Sequence, residues 1–167
     1  NADDPAAVYY ASFGAARTVR FGWEDKGPRD MLPSDVVRDE TGMHMVLDDV
    51  PFFIPLIAPF EQTNALCAIA IVRALSFSLV GIAGAVGALH SIAGRFERVD
   101  CGQPFTVIVD YAHEPRSLQV LLKAVRQLRP RRVICLHGST GGGRDVARRE
   151  VLGRLAGENE DIVIVTN

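Results

Sequence analysis

A polar cluster follows a short apolar run in the second half of the chain. Asp110, Tyr111, His113 and Glu114 come directly after V-I-V at 107–109 and before a proline. Pro115 suits the first turn of a helix, so Glu114 is the expected N-cap and Asp110 is left to point outward. An exposed carboxylate there can accept from a ribose hydroxyl or coordinate Mg²⁺. His113 is either a base or a hydrogen-bonding loop residue.

A glycine-rich segment, G-S-T-G-G-G-R-D at 138–145, forms the second candidate site. Its frame resembles a phosphate-binding loop, but Arg144 and Asp145 stand where that motif requires Lys and Ser or Thr. We therefore reject a nucleoside-triphosphate loop here. Two readings stay open: a flexible turn, or an anion site in which backbone N–H groups and Arg144 bind a carboxylate or phosphate.

Further polar residues have both simple and functional readings. Arg95 and Arg98 alternate with apolar residues, as on a solvated edge strand. Asn64 stands near a predicted helix start, where capping is the simple explanation. The three cysteines lack a C-x-x-C pair or a His spacing typical of zinc, which predicts reduced thiols and no metal site.

The elements that must position these residues alternate in the second half. We predict strands at 105–109, 132–136 and 162–165, separated by helices after Pro115 and over 146–155. Apolar strands alternating with helices predict a parallel βαβαβ sheet and an α/β fold. In such a sheet the polar cluster and the glycine-rich segment both lie at the carboxyl ends of strands, where ligands bind.

The first hundred residues are mixed. A strand is predicted at 17–22, and a short antiparallel meander at 36–38, 43–47 and 52–57. Helices are expected at 5–11 and 62–75, with a further one ending near Leu89. The 62–75 helix is apolar on nearly every face and should be buried. The uncharged run 74–89 is shorter than the roughly 20 residues of a spanning helix.

Composition excludes several classes of partner. The net charge is −2 and the basic residues are scattered, so nothing indicates binding to nucleic acid or to a membrane. With 23% charged residues, the chain is typical of a globular protein. The cysteines suit a cytoplasmic location, and we expect a monomer. A start at Asn1 within N-A-D-D-P leads us to expect an interior piece of a longer protein.

Several motifs together resemble the Mur ligases. They are N-A-D-D-P at 1–5, N-A-L-C-A-I-A at 64–70, G-R-F-E-R-V-D at 94–100, V-I-V-D-Y-A-H-E-P at 107–115 and G-G-G-R-D-x-x-x-R at 141–149. The likeness covers nearly the whole chain, and it points to the members that add the third amino acid of the peptidoglycan stem peptide. Folylpolyglutamate synthases look similar but usually carry D-G-A-H-N-P, so Tyr111 and Glu114 favour the cell-wall enzymes.

This resemblance implies an ATP-dependent amide ligase. Residues 1–103 would be the later part of the central ATPase domain, and 104–167 the first part of the Rossmann-like C-terminal domain. The family phosphorylates a terminal carboxylate with ATP and Mg²⁺, and an amine then attacks the acyl phosphate. The implied substrates are UDP-MurNAc-L-Ala-D-Glu and a small amino acid, diaminopimelate or lysine.

The resemblance also implies roles for single residues. Asn64 would lie near the adenine and Arg95 would reach the nucleotide. Asp110 would bind ATP at the ribose, with Tyr111 and His113 beside it. Arg144 would approach the carboxylate of the incoming amino acid.

Departures from the family pattern keep alternatives open. Glu61 stands where a second Asn is common, Glu114 replaces a Thr, and Arg148-Arg149-Glu150 replaces K-R-P. The family's phosphate loop, its Mg²⁺ ligands and its carbamylated lysine are not in the sequence, so we expect this piece alone to be inactive. The alternatives are a folylpolyglutamate synthase-like ligase and a non-catalytic nucleotide-binding module.

Overall fold

The chain folds into two compact units. A computed structural model describes residues 1–25, 27–138 and 146–166. The units divide after His90, at Asn1–His90 and Ser91–Asn167. This division precedes the predicted boundary near residue 103, because the strand at 97–99 pairs with residues 107–109 and so belongs to the second unit.

The first unit combines an antiparallel meander with helices. The strand order in the meander is β1 (Ser34–Arg38), β2 (Met43–Leu47), β3 (Val50–Ile54), with Leu47 opposite Val50. Asp48 and Asp49 both adopt positive φ, at 46° and 63°, as a two-residue hairpin turn of the favoured twist requires. The meander prediction is confirmed. The elements are α1 (Ala7–Ala11), β1 (Ser34–Arg38), β2 (Met43–Leu47), β3 (Val50–Ile54), α2 (Pro59–Ala74) and α3 (Leu79–Gly87).

Helix α2 covers the core of the meander with one face. Its buried apolar residues are Ala65, Leu66, Ile69 and Ala70, which recur at helical spacing. Ile71 on another face is 58% exposed, so the expectation of a fully buried helix was wrong. The core of this unit consists of Phe21, Met31, Met43, Met45, Leu47, Phe52, Ile54, Leu56, Ala65, Leu66, Ile69, Ala70 and Ile82.

The predicted strand at 17–22 does not form as a strand. Phe21 makes only an isolated bridge with Met31. The segment is instead tied to the chain start: the Ala2 N–H donates to the Phe21 carbonyl at 2.8 Å. Asp3 accepts from the Trp23 N–H at 2.6 Å and from Arg29 at 3.1 Å. The N-A-D-D-P motif is therefore a structural anchor in this unit.

The described residues of the second unit form two small sheets and two helices. Strands β6 (Ile134–Gly138) and β7 (Ile162–Thr166) are parallel and joined through α5 (Ala147–Asn159), which confirms a βαβ element. The strand predicted at 105–109 does not extend that parallel pair; its core, β5 (Val107–Val109), pairs antiparallel with β4 (Glu97–Val99). The elements are β4 (Glu97–Val99), β5 (Val107–Val109), α4 (Pro115–Gln127), β6 (Ile134–Gly138), α5 (Ala147–Asn159) and β7 (Ile162–Thr166).

Helices α4 and α5 pack against each other, and α4 buries Ala124 while α5 buries Ala156. Leu118 and Leu122 of α4 are also buried, whereas Leu128 is 43% exposed beyond the helix end. Among the described residues, no helix is both long enough and apolar enough to cross a membrane.

Candidate functional site

The carboxylate of Asp110 joins two turns of the second unit. Its Oδ2 accepts from the Phe96 N–H at 2.8 Å, and its Oδ1 accepts from the Ala112 N–H at 2.7 Å. The Tyr111 N–H also donates to the Gly94 carbonyl at 2.9 Å. The expectation that Asp110 simply points outward was therefore wrong, because the antiparallel register that pairs Glu97 with Val109 places Asp110 opposite Phe96. Each Asp110 oxygen accepts one hydrogen bond from the backbone, which leaves a lone pair on each oxygen for a ligand.

The turn before β4 presents Arg95 at the surface. Gly94 and Phe96 both have positive φ, at 67° and 44°, and the Phe96 side chain is buried. This bend leaves Arg95 exposed between them. Its guanidinium carbon lies 5.1 Å from the centroid of the Tyr111 ring, within the range of a cation–π contact. The structure thus brings Arg95 and Tyr111 together from two strands.

Tyr111 and His113 extend this surface. The Tyr111 side chain is 57% exposed, and the two ring centroids lie 4.8 Å apart at 60°. His113 Nδ1 lies 2.9 Å from the Tyr111 carbonyl oxygen. A carbonyl can only accept, so Nδ1 carries the proton, and in the neutral ring Nε2 is the acceptor. We call Arg95, Asp110, Tyr111 and His113 the Asp110 surface.

Glu114 links the starts of the two helices. It occupies the N-cap position of α4, as predicted, but its side chain makes no capping bond. Instead its Oε1 accepts from Arg148 Nη1 at 2.5 Å. Arg148 lies in the first turn of α5. Two departures from the Mur ligase pattern thus form one ion pair, which ties together the helices that follow β5 and β6.

Asn64 belongs to the first unit, where it lies in the second turn of α2. The helix begins at Pro59, earlier than predicted, so Asn64 is not a cap. Its side chain is exposed and makes no hydrogen bond within the part of the chain that the structure describes. Glu61, one turn earlier, is buried, and its Oε2 accepts from the Ala58 N–H at 3.3 Å. The amide of Asn64 is therefore accessible to a ligand.

Arg144 lies outside the described residues, as do the other members of the glycine-rich segment between 139 and 145. Gly138 ends β6 before this segment, and Ala147 begins α5 after it. The segment therefore follows the carboxyl end of a parallel strand. In parallel sheets ligands approach at that end. The role predicted for Arg144 stays a prediction.

A second polar cluster was missed in the sequence. Cys135, His137 and Glu160 place one ligand atom each within 4.8 Å of one another. Cys135 and His137 share a face of β6 because strand side chains alternate. Glu160, however, follows α5 and is far away in the sequence. Burial raises the pKa of the Cys135 thiol to about 12, with the Glu160 carboxylate adding to the effect.

Comparison with known proteins now gives the family. Residues 94–167 match the family described as Mur ligase, glutamate ligase domain. The UDP-N-acetylmuramoyl-L-alanyl-D-glutamate--2,6-diaminopimelate ligase of Geobacillus kaustophilus is 38% identical over 171 aligned residues, covering 100% of this chain and 34% of the relative. The enzyme of that name from Solibacter usitatus is also 38% identical, over 91% of this chain and 31% of the relative. The chain belongs to the Mur ligase family.

Solved structures show the same Mur ligase fold. The MurF of Acinetobacter baumannii aligns with a TM-score of 0.65 at 20% identity, over 88% of this chain and 33% of that one. A structure of a UDP-N-acetylmuramoyl-L-alanyl-D-glutamate--2,6-diaminopimelate ligase aligns with a TM-score of 0.52 at 23% identity, over 86% of this chain and 30% of that one. The apo form of L. casei FPGS aligns with a TM-score of 0.60 at 19% identity, over 82% of this chain and 34% of that one. At these identities the likeness shows the fold and does not separate the activities.

The family predicted from the motifs is confirmed by these comparisons. This Mur ligase chain spans about a third of the length of the curated relatives it matches. Both units contribute to the match, since the alignment with the Geobacillus enzyme covers all of the chain. The residue roles at the Asp110 surface are a separate question, and their support comes from geometry.

Proposed function

We propose that the protein carrying this chain is an ATP-dependent ligase that adds diaminopimelate to UDP-MurNAc-L-Ala-D-Glu in peptidoglycan synthesis. The observation that carries the proposal is the identity of 38% over the whole chain to an enzyme named for that reaction. Residues 1–90 are proposed as the later part of the central domain and residues 91–167 as the start of the C-terminal domain, since the glutamate ligase domain matches from residue 94. Lysine is the runner-up amino acid.

The Asp110 surface is proposed as the nucleotide contact of the second unit. An exposed aromatic ring with a guanidinium over it suits a flat base or a phosphate, and a carboxylate with lone pairs left suits ribose hydroxyls. Arg95, Tyr111 and Asp110 supply these groups, and His113 Nε2 adds an acceptor. These residues therefore fit ATP as a bound substrate. ATP supplies the phosphoryl group that activates the acceptor carboxylate.

The described residues fit ATP but do not provide a binding site for Mg²⁺. Mg²⁺ prefers several oxygen ligands, and the three-residue ligand cluster among the described residues includes a thiol. No step is therefore assigned to a cation held by this chain. The contribution of the chain to phosphoryl transfer is proposed to be positioning, with Arg95 placing positive charge near the nucleotide.

Asn64 and Arg144 complete the proposed binding residues. Asn64 is proposed to contact the adenine, supported by its exposed and unbonded amide on α2. Arg144 is proposed to bind the carboxylate of the incoming amino acid, supported by its place after a parallel strand.

The reaction is tested by ADP release from the full-length protein. Turnover should require UDP-MurNAc-L-Ala-D-Glu and diaminopimelate together, because the carboxylate is activated only to be attacked by the amine. Release that needs tetrahydrofolate and glutamate instead would establish the folylpolyglutamate alternative. ATP binding without turnover on either substrate pair would favour the non-catalytic module.

The assignment of Arg95 is tested by comparing two arginine-to-alanine variants. Arg95→Ala should raise the KM for ATP by about tenfold, which corresponds to ~1.4 kcal/mol for one lost charge-assisted contact. Arg98→Ala is the matched control, since Arg98 is also exposed and lies on the adjoining strand β4. Equal KM values in the two variants would overturn the assignment of Arg95 while leaving the reaction itself untouched.

A further inference from the structure

The side chains of β6 form a cluster with the residue after α5. Cys135 and His137 lie on the same face of the strand, and Glu160 is the C-cap residue of α5. His137 Nε2 lies 2.7 and 2.9 Å from the two carboxylate oxygens of Glu160. The ligand atoms of all three residues lie within 4.8 Å of one another. This cluster contains none of the residues assigned to ATP or to the amino acid.

Glu160 makes the cluster unusual because its carboxylate is shut off from solvent. Its side chain is 0% exposed, whereas that of His137 is 26% exposed. A buried carboxylate is expensive unless a cation or several donors compensate for it. Arg126 on α4 donates to the Asn159 carbonyl at 2.5 Å and lies 3.7 Å from Asp161. Its charge is therefore already shared with other groups.

We propose that Cys135, His137 and Glu160 bind one Zn²⁺ ion. Zinc takes thiolate, imidazole nitrogen and carboxylate oxygen ligands in proteins, so the Cys135 thiol releases its proton to solvent as the bond between zinc and sulfur forms. The thiol disfavours Mg²⁺ and Ca²⁺, which prefer oxygen ligands. Three protein ligands leave a fourth position for water, and the partly exposed His137 marks the side from which the cation enters.

The geometry needs only small movements. Zinc bonds of about 2.0–2.3 Å in a tetrahedron place ligand atoms roughly 3.5 Å apart. The contacts between His137 and Glu160 must therefore open by less than about 1 Å, and a separation as wide as 4.8 Å must close by about 1.3 Å. The bound ion would join β6 to the end of α5, within a single βαβ element.

The site would raise stability. A ligand that binds only the folded protein stabilises it by mass action. Because the cluster is separate from the Asp110 surface, zinc binding does not depend on the proposed ligase activity. The competing interpretation is a hydrogen-bonded cluster that holds no cation, in which His137 and the Cys135 thiol both donate to the Glu160 carboxylate.

The test is metal binding by the full-length protein after chelator treatment. Titration with Zn²⁺ against a chromophoric chelator should show a site that Cys135→Ala weakens by more than about 100-fold, since even loss of an outer-shell partner costs 10–100-fold. Cys101→Ala is the matched control, because that thiol is exposed and lies outside the cluster. Equal zinc binding by the two variants would overturn the proposal, as would wild-type affinity weaker than about 10 µM.

Cobalt substitution keeps the proposal testable if Cys135→Ala fails to fold. Wild-type protein loaded with Co²⁺ should show thiolate-to-metal charge-transfer absorption, which requires a cysteine ligand. The band should persist in Cys101→Ala and weaken in Glu160→Gln, a change that keeps the shape of the side chain. A wild-type Co²⁺ spectrum without that band would leave only the hydrogen-bonded cluster.

Discussion

Asp110 is expected to hold its surrounding turns together as well as to face the nucleotide. Its two oxygens accept from two backbone N–H groups, of Phe96 and Ala112. Hydrogen bonds to charged groups contribute about 1.5–3 kcal/mol each, and the half-buried setting favours the lower figure. Asp110→Ala should therefore cost about 3 kcal/mol locally, and Asp110→Asn, which keeps one acceptor, about half of that.

Hydrogen exchange measured by mass spectrometry detects this loss of local stability in the segment where it occurs. In full-length protein, peptides covering 94–112 should exchange about 100-fold faster in Asp110→Ala and about tenfold faster in Asp110→Asn. Asp100→Ala is the control: its carboxylate is exposed and accepts one local bond, from the Gly102 N–H at 2.9 Å. Exchange in Asp110→Ala within about threefold of wild type would refute the bridging role.

Two further predictions concern local structure. The Glu114–Arg148 pair should show a coupling of about 0.5–1 kcal/mol in a double-mutant cycle of urea unfolding, decreasing with salt; additive single variants would contradict it. Gly42→Ala should cost about 3 kcal/mol or more, because φ is 152° and a Cβ would lie 2.3 Å from the Ile54 carbonyl oxygen. Gly84→Ala, in open space on α3, should be neutral or slightly stabilising in the same melts; similar losses in both would contradict this reading.

Local signals made much of the fold predictable. The meander was visible because Asp48-Asp49 and Glu40-Thr41-Gly42 separate alternating apolar runs, and both turns form. Pro115 marked the start of α4 correctly. The partner of β5 could not be read in the same way, because strand pairing depends on contacts distant in the sequence. An apolar triplet fits either an antiparallel or a parallel neighbour.

The candidate site was predictable in composition but less so in arrangement. The motifs marked Arg95, Asp110, Tyr111 and His113, and the structure brings all four into one surface. The backbone bonds of Asp110 were missed because they depend on the bend at Phe96.

The cluster of Cys135, His137 and Glu160 was missed for a similar reason. The strand predicted at 132–136 contains Cys135 but ends before His137, whereas β6 continues to Gly138 and so places both side chains on one face. Glu160 reaches the other two residues only through the packing of α5.

The most direct test of the central claim is the ligation product itself. Full-length protein would be supplied with ATP, UDP-MurNAc-L-Ala-D-Glu and equal amounts of diaminopimelate and lysine, and the products would be weighed by mass spectrometry. We expect the diaminopimelate tripeptide as the main product, formed together with ADP. A lysine product would correct the amino acid alone, whereas no nucleotide-linked tripeptide with either amino acid would contradict the proposed function.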